Sequence, residues 1–310
     1  MASLNQSRQA HAPVLLQEVI DSLDLKPGQI IVDGTVNRGG HARVIAEMVG
    51  KSGWVIGIDQ DPEALADAKK HLADMPAKID LIKGNFRHID QLLKNIVVDQ
   101  VDGILLDIGF SSEQVDGSGL PGQAGKGFSF QKDEPLAMTF GNPSDALVTA
   151  YDVVNTWAEA SLADIIHGFG EESFARKIAR QIVLAREVAP IKTTFDLVEV
   201  IRAAVPVWQT KKRLHFATKT FQAIRMAVND ELGALKEGME KSIKVLKPGG
   251  RLAIISFHSL EARMIKDYFK QLVKDGVVSL VNKKAIKPSR VEQVANPRSR
   301  SAQLRVIRKI

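Results

Sequence analysis

Residues 30–48 read I-I-V-D-G-T-V-N-R-G-G-H-A-R-V-I-A-E-M: a short apolar run, a break at Gly34, the pair Gly39-Gly40, then a helical pattern. That order is strand, loop, helix, and glycines at such a junction let the backbone close on a ligand at the helix N-terminus. A second apolar run, W-V-I-G-I-D-Q-D-P, closes on Asp59, 26 residues beyond Asp33. In a doubly wound sheet a carboxylate at the tip of the next strand reaches a ribose diol, so loop and acid together select a nucleoside-binding α/β fold. The loop departs from the dinucleotide pattern G-x-G-x-x-G. Counted from Gly34, Val36 stands at the second glycine and Gly39 arrives one step early. A nucleoside without a pyrophosphate, such as S-adenosylmethionine, suits this loop better than a nicotinamide cofactor, since nothing so large has to sit on the helix N-terminus.

Further strand ends extend the same edge. A third strand, Ile79 to Lys83, runs into G-N-F-R and places Phe86 there, either stacking on an adenine or filling the core. A fourth, V-D-G-I-L-L-D-I-G, ends at Asp107, where open α/β sheets bind their ligands, and Ser111, Ser112 and Gln114 follow in a polar loop. A fifth, R-L-A-I-I-S-F, delivers Phe257-His258-Ser259, with His258 read as a structurally bonded histidine. V-V-S-L-V and Q-L-R-V-I suit a closing hairpin, with the arginines of N-P-R-S-R-S in a loop between them.

Between the fourth and fifth strands the pattern changes. Asp116 to Gly127 and the following G-F-S-F-Q-K-D-E-P-L-A-M show no periodicity and read as a mobile active-site loop. Then only helices follow: Glu159 to His167, Glu171 to Glu187 with Phe174, Ile178 and Ile182 four apart, a helix capped by Thr194 and stopped by Pro206, and one long helical stretch from Thr218 to Val245. The chain therefore divides into a sheet domain, 1–140 and 216–310, and a helical insertion, 141–215.

The formal net charge is +6, and the excess is uneven. Eleven Lys and Arg lie between Arg176 and Arg225 against Glu187, Asp196 and Glu199, and nine lie beyond Val281 against Glu292. Local basic excess is the footprint of a polyanion partner. With no cysteine there is no disulfide framework, thiolate nucleophile or zinc ribbon. The seven histidines show no metalloprotease spacing, and neither G-x-S-x-G nor a Walker lysine loop occurs, so no metal site is expected. No signal-length or membrane-length apolar run appears, which predicts a cytoplasmic protein with no membrane contact.

The ordered blocks V-L-L-Q-E-V-I, D-G-T-V-N-R-G-G-H-A, G-I-D-Q-D, G-N-F, G-I-L-L-D-I-G-F-S-S-E-Q-V-D, G-F-S-F, G-E-E-S-F-A-R-K-I-A-R, A-T-K-T-F-Q-A-I-R-M-A-V-N-D-E-L, K-P-G-G-R-L-A-I-I-S-F-H-S-L-E and N-P-R-S-R-S-A-Q-L-R-V resemble the RsmH (MraW) family over nearly the whole chain. That family comprises bacterial small-subunit ribosomal RNA cytosine-N(4)-methyltransferases. The resemblance implies a class I S-adenosylmethionine-dependent methyltransferase fold, a Rossmann-like doubly wound sheet with a helical inserted domain. The implied substrate is a cytidine of the decoding centre, in ribosomal RNA or the ribosomal particle; a homodimer is compatible with it. It implies cofactor contacts at Gly39, Gly40 and His41, at Asp59 on the ribose, at Phe86 by the adenine, and at Asp107 and Gln114 near the methionine end, with Asp107 also the candidate catalytic group.

Three departures stand out. Val36 and Asn37 replace residues of the usual G-T-F-G-R-G-G-H, and Glu113 replaces a proline after the two serines. The usual D-G-P-L-D-M-R-M is D-E-P-L-A-M-T-F, with Ala137 and Thr139 in place of an acid and an arginine. A DNA amino-methyltransferase is disfavoured, because D-I-G-F stands where those enzymes carry D/N-P-P-Y/F. A catalytically idle RNA-binding assembly factor on the same fold is the alternative that the altered loop leaves open.

Overall fold

The computed structural model describes residues 13–109 and 125–310, which fall into two compact units: one ends at Gly109 and resumes at Ala234, and the other spans Phe110–Gly233. In the first, seven strands form one sheet: β1 (Ile30–Asp33), β2 (Trp54–Asp59), β3 (Lys78–Lys83), β4 (Val101–Asp107), β5 (Leu246–Ser256), β6 (Val278–Leu280) and β7 (Gln303–Lys309). The order is β3-β2-β1-β4-β5-β7-β6, parallel from β3 to β5, with β7 antiparallel to both β5 and β6. This is the expected class I methyltransferase sheet, and its strand order reverses between β1 and β4, where such sheets open their ligand crevice.

Burial on both faces explains the β-branched runs. Alternate residues serve opposite faces: Val32, Ile56, Ile58, Ile104, Leu106 and Ile254 pack in one core, and Ile31, Val55, Leu105, Ala253 and Ile255 in the other. The first core is closed by Leu93, Leu235, Met239, Ile265 and Phe269 from helices Ile89–Asn95, Glu231–Val245 and Ser259–Lys274. The second is closed by Val19, Leu23, Ile45, Val49 and Ala68 from Leu16–Leu23, Gly40–Val49 and Pro62–His71. The last of these helices begins as its D-P signal predicts, with Asp61 accepting the Glu63 amide and Pro62 at the first position.

Several boundaries differ from the sequence reading. Helix 218–245 is two helices, Thr218–Asn229 and Glu231–Val245, divided at Asp230, which takes a left-handed φ of 45°. β6 and β7 do pair, but the N-P-R-S-R-S segment between them is a 3-10 turn, Pro297–Ser301, rather than an open loop. Thr193, not Thr194, caps helix Thr194–Ala204, in a reciprocal box with Asp196.

The helical unit is wider than the predicted 141–215, and the reason is packing. Phe128, Leu136 and Met138 from the stretch without periodicity, and Phe221, Ala223 and Ile224 from Thr218–Asn229, are buried with Val153, Ile166, Ile178, Ile182 and Ile201. Residues 126–140 are also hydrogen-bonded into this unit. The Glu134 carboxylate accepts the Gly127 amide (2.9 Å), the Thr194 amide donates to Glu134 O (2.9 Å), and Asn229 bonds both Met138 O and the Phe140 amide. Among the described residues no helix is long and apolar enough to cross a membrane.

Candidate active site at the carboxyl edge of the sheet

The loop after β1 is stitched between its neighbours' tips. Gly34 N donates to Leu105 O of β4 and Val36 N to Ile58 O of β2, both at 2.9 Å. Val36 is 2% exposed, so the departure at 36 changes a core contact rather than a ligand-facing one. Asn37 takes φ 48° and Gly39 φ 84°. Asparagine tolerates that region better than other side chains, so the turn survives its substitution. Gly39 is the N-cap of helix Gly40–Val49 and supplies no side-chain cap, which leaves the first-turn amides of Gly40 and His41 available to a ligand.

Asp59 braces this loop. One carboxylate oxygen accepts the Asn37 amide (2.9 Å) and the other the Asp61 amide (2.9 Å), so the glycine loop and the tip of β2 form one bonded unit. Burial still pushes the carboxyl above its usual range, with those amides opposing. Asp33, at the end of β1 and 1% exposed, is pushed up by burial to about 8 despite the Thr35 amide on its Oδ1.

Asp107 ends β4, and its backbone amide donates to Thr35 Oγ1 at 2.7 Å, tying the two switch-point strands together. Its Oδ1 is buried without a hydrogen-bond partner, and its Oδ2 lies 3.8 Å from His41 Nδ1. Burial raises this carboxyl to about 7; the Gly109 amide opposes that, and the charge of Glu261 adds to it. His41 is driven down to about 4 by burial, so it is neutral. Its Nε2 lies 3.0 Å from Val14 O, an atom that can only accept, which places the proton on Nε2 and turns the Nδ1 lone pair toward Asp107. Asp33, Asp59 and Asp107 are thus all pushed toward the protonated form, and a bound cation would reverse that.

The other predicted site residues divide. Phe86 opens a 3-10 turn beyond β3 and is only 8% exposed, packed in the core where a Cβ on Gly238 would stand 2.5 Å from its ring. Buried against that helix, the ring is chiefly a packing residue. Gln114 lies outside the described residues, as do Ser111, Ser112 and Glu113. His258 caps helix Ser259–Lys274, its Nδ1 accepting the Glu261 amide, while Glu261 Oε2 accepts the Phe257 amide (2.9 Å). Glu261, 1% exposed, was not singled out by the sequence reading, although its place three residues after a cap is a capping-box signal.

In the helical unit, Arg176, Lys177 and Arg180 are exposed on helix Ala175–Val188, and Lys211, Lys212 and Arg213 are exposed after Val207–Thr210. Arg298 and Arg300 are exposed in the sheet unit. Ala137 and Thr139 are tied into the helical unit instead: Ala137 O accepts the Ala150 amide, and Thr139 is 3% exposed.

A family model described as the MraW methylase family matches residues 8–310. Similar curated proteins include a ribosomal RNA small subunit methyltransferase H of Paenibacillus sp. (strain JDR-2), 42% identical with 97% of this chain and 99% of that protein covered. Its namesake from Deinococcus radiodurans is 46% identical, with 96% of this chain and 89% of that protein covered.

Proposed function

The chain belongs to the MraW methylase family, and from that premise we propose that it transfers a methyl group from S-adenosylmethionine to the exocyclic N4 amine of a cytidine in the decoding centre of small-subunit ribosomal RNA. The observation that carries this reading is Asp107: a half-buried carboxylate at the switch point, with one buried oxygen unpartnered and the other facing the neutral His41.

The residues fit that cofactor. The orphaned Asp107 oxygen suits a cationic donor, and Asp59 retains lone pairs for a ribose diol after accepting two amides. The unshielded amides at Gly40 and His41 suit a carboxylate. When bound, S-adenosylmethionine supplies a methyl already activated on a sulfonium.

The cytosine amine is a poor nucleophile because its lone pair is delocalised into the ring. The protein's tasks are therefore alignment of that amine and removal of a proton as charge develops. Asp107, which a bound cationic cofactor would hold ionised, is placed to accept that proton. His41, kept neutral by burial, is the weaker proton acceptor of the two, so the proton stops at the carboxylate. The target base has to leave its stack to reach the edge of the sheet. The test is methyl transfer from labelled cofactor to small-subunit RNA with the modified base mapped. Label at a cytosine N4 supports the reading, and label on another atom or none overturns it.

A further inference from the structure

Trp208 is the one exposed tryptophan of three: it is 54% exposed, whereas Trp54 and Trp157 are half-buried. Its neighbour Val207 is 72% exposed, and apolar residues left in water side by side, rather than singly, mark a contact surface. Its seat is firm. Pro206 caps the turn Val207–Thr210, and Gln209 is buried beneath it, its Nε2 3.5 Å from Oε1 of the buried Glu172. That same Glu172 oxygen accepts the Phe174 amide at 2.9 Å, so turn and helix are anchored to one carboxylate. Phe174 meets Trp208 edge-on, with ring centroids 6.0 Å apart.

Cations flank both rings. Lys212 Nζ stands 4.5 Å from the Trp208 ring centroid and Lys177 Nζ 5.8 Å from that of Phe174. From Val200 to Asn229 the sequence contains no acid at all. A rigid π-face with ammonium groups beside it, Lys212 from this acid-free segment and Lys177 from the helix before it, matches how single-stranded nucleic acid is held, with bases on aromatic rings and phosphates on lysines. Paired bases keep their faces covered, so the complement of such a platform is an unpaired nucleotide.

We propose that Trp208 is a stacking platform for an unpaired base of the RNA substrate, with Lys177 and Lys212 taking the adjoining phosphates. This rests on the RNA reading given above and adds to it where on the helical unit the strand is gripped and which RNA form is chosen.

The test uses the full-length protein with an end-labelled twelve-residue oligouridylate and a duplex RNA of equal length. Trp208→Ala lowers single-strand affinity by about 5- to 150-fold, the range that loss of one stacked base produces, and leaves duplex affinity unchanged. Trp208→Phe retains most of the affinity and Trp208→Gln does not, a comparison that stands even if the alanine variant folds poorly. Lys177→Ala and Lys212→Ala each lower the log–log salt slope by about 0.7, whereas Trp208→Phe leaves the slope as it is. The proposal is overturned if Trp208→Ala and Trp208→Gln both bind the single strand as wild type does, or if duplex binding falls equally. Loss confined to ribosomal particles, with naked RNA unaffected, makes the surface a protein contact and also overturns it. Wild-type protein without affinity for either RNA brings down the RNA reading itself, whereas wild-type binding with unaltered variants removes only the platform.

Discussion

Asp59 and Asp107 end the two strands that flank β1 in one sheet, yet their bonding assigns them different work. Each Asp59 oxygen accepts one backbone amide and keeps a lone pair, so its loss removes the brace on the Asn37 turn and, on the proposed reading, the ribose contact. Leaving buried hydroxyls unpaired costs about 1–3 kcal/mol. Asp59→Ala is therefore expected to weaken S-adenosylmethionine about 5- to 150-fold by calorimetry, with the fold intact. Unchanged affinity would mean the ribose lies elsewhere. Asp107 has one oxygen bare instead, which is how a group looks when its partner arrives with the ligand or substrate. Asp107→Asn keeps size and removes charge, so turnover is expected to fall ~10²–10⁴-fold with cofactor affinity changing far less. Parallel loss of both would make Asp107 the holder of the cofactor's ammonium.

At the scale of elements, the sequence was most legible where two signals agreed. β1, its glycine loop and Asp59 were readable because strand, turn and acid have fixed spacing, and Asp61-Pro62 announced its helix by cap and proline. Phe86 was ambiguous because an aromatic at a strand end has the same signature whether it stacks or packs. What decides is Gly238, 152 residues away in sequence, against which its ring lies. The loop 126–140 hid its order for the same reason, since Glu134 and Met138 find their partners in Thr194 and Asn229. Gly238→Ala tests the packing role: a methyl 2.5 Å from the Phe86 ring overpacks the helix on the sheet and is expected to lower stability by about 1–3 kcal/mol in denaturant titration. A neutral result would show that the ring can move aside. The basic turn has a separate test. Replacing Lys211, Lys212 and Arg213 together by Ala is expected to lower the salt slope of RNA binding by about 2 while leaving cofactor affinity alone; an unaltered slope would make the run a solvated surface.

At the scale of the whole molecule, the acids at the tips of β1 and β4 make stability depend on pH. Most buried carboxylates are ion-paired and stabilise more as pH rises, whereas Asp33 near 8 and Asp107 near 7 are shifted upward. Between the unfolded value near 3.8 and these folded values, the native state binds more protons than the unfolded chain. By linkage that makes stability fall as pH rises, with the contribution complete below about 4 and lost by about 8. His41 acts in the opposite sense, because its fall from 6.5 to about 4 lets stability rise with pH, but only up to 6.5. The two opposing effects overlap below 6.5 and separate above it. Ligand-free protein is accordingly expected to lose stability from pH 6.5 to 8.5 in denaturant titrations, and Asp33→Asn, which cannot ionise, to flatten that decline. S-adenosylmethionine, a net cation, favours the ionised carboxylates, so its binding at pH 7 is expected to release protons, seen as a binding heat that changes with the ionisation enthalpy of the buffer. A stability profile of Asp33→Asn parallel to wild type above pH 6.5, together with a buffer-independent heat, would show that these acids are already ionised in the empty protein and that the cation adds nothing to their balance.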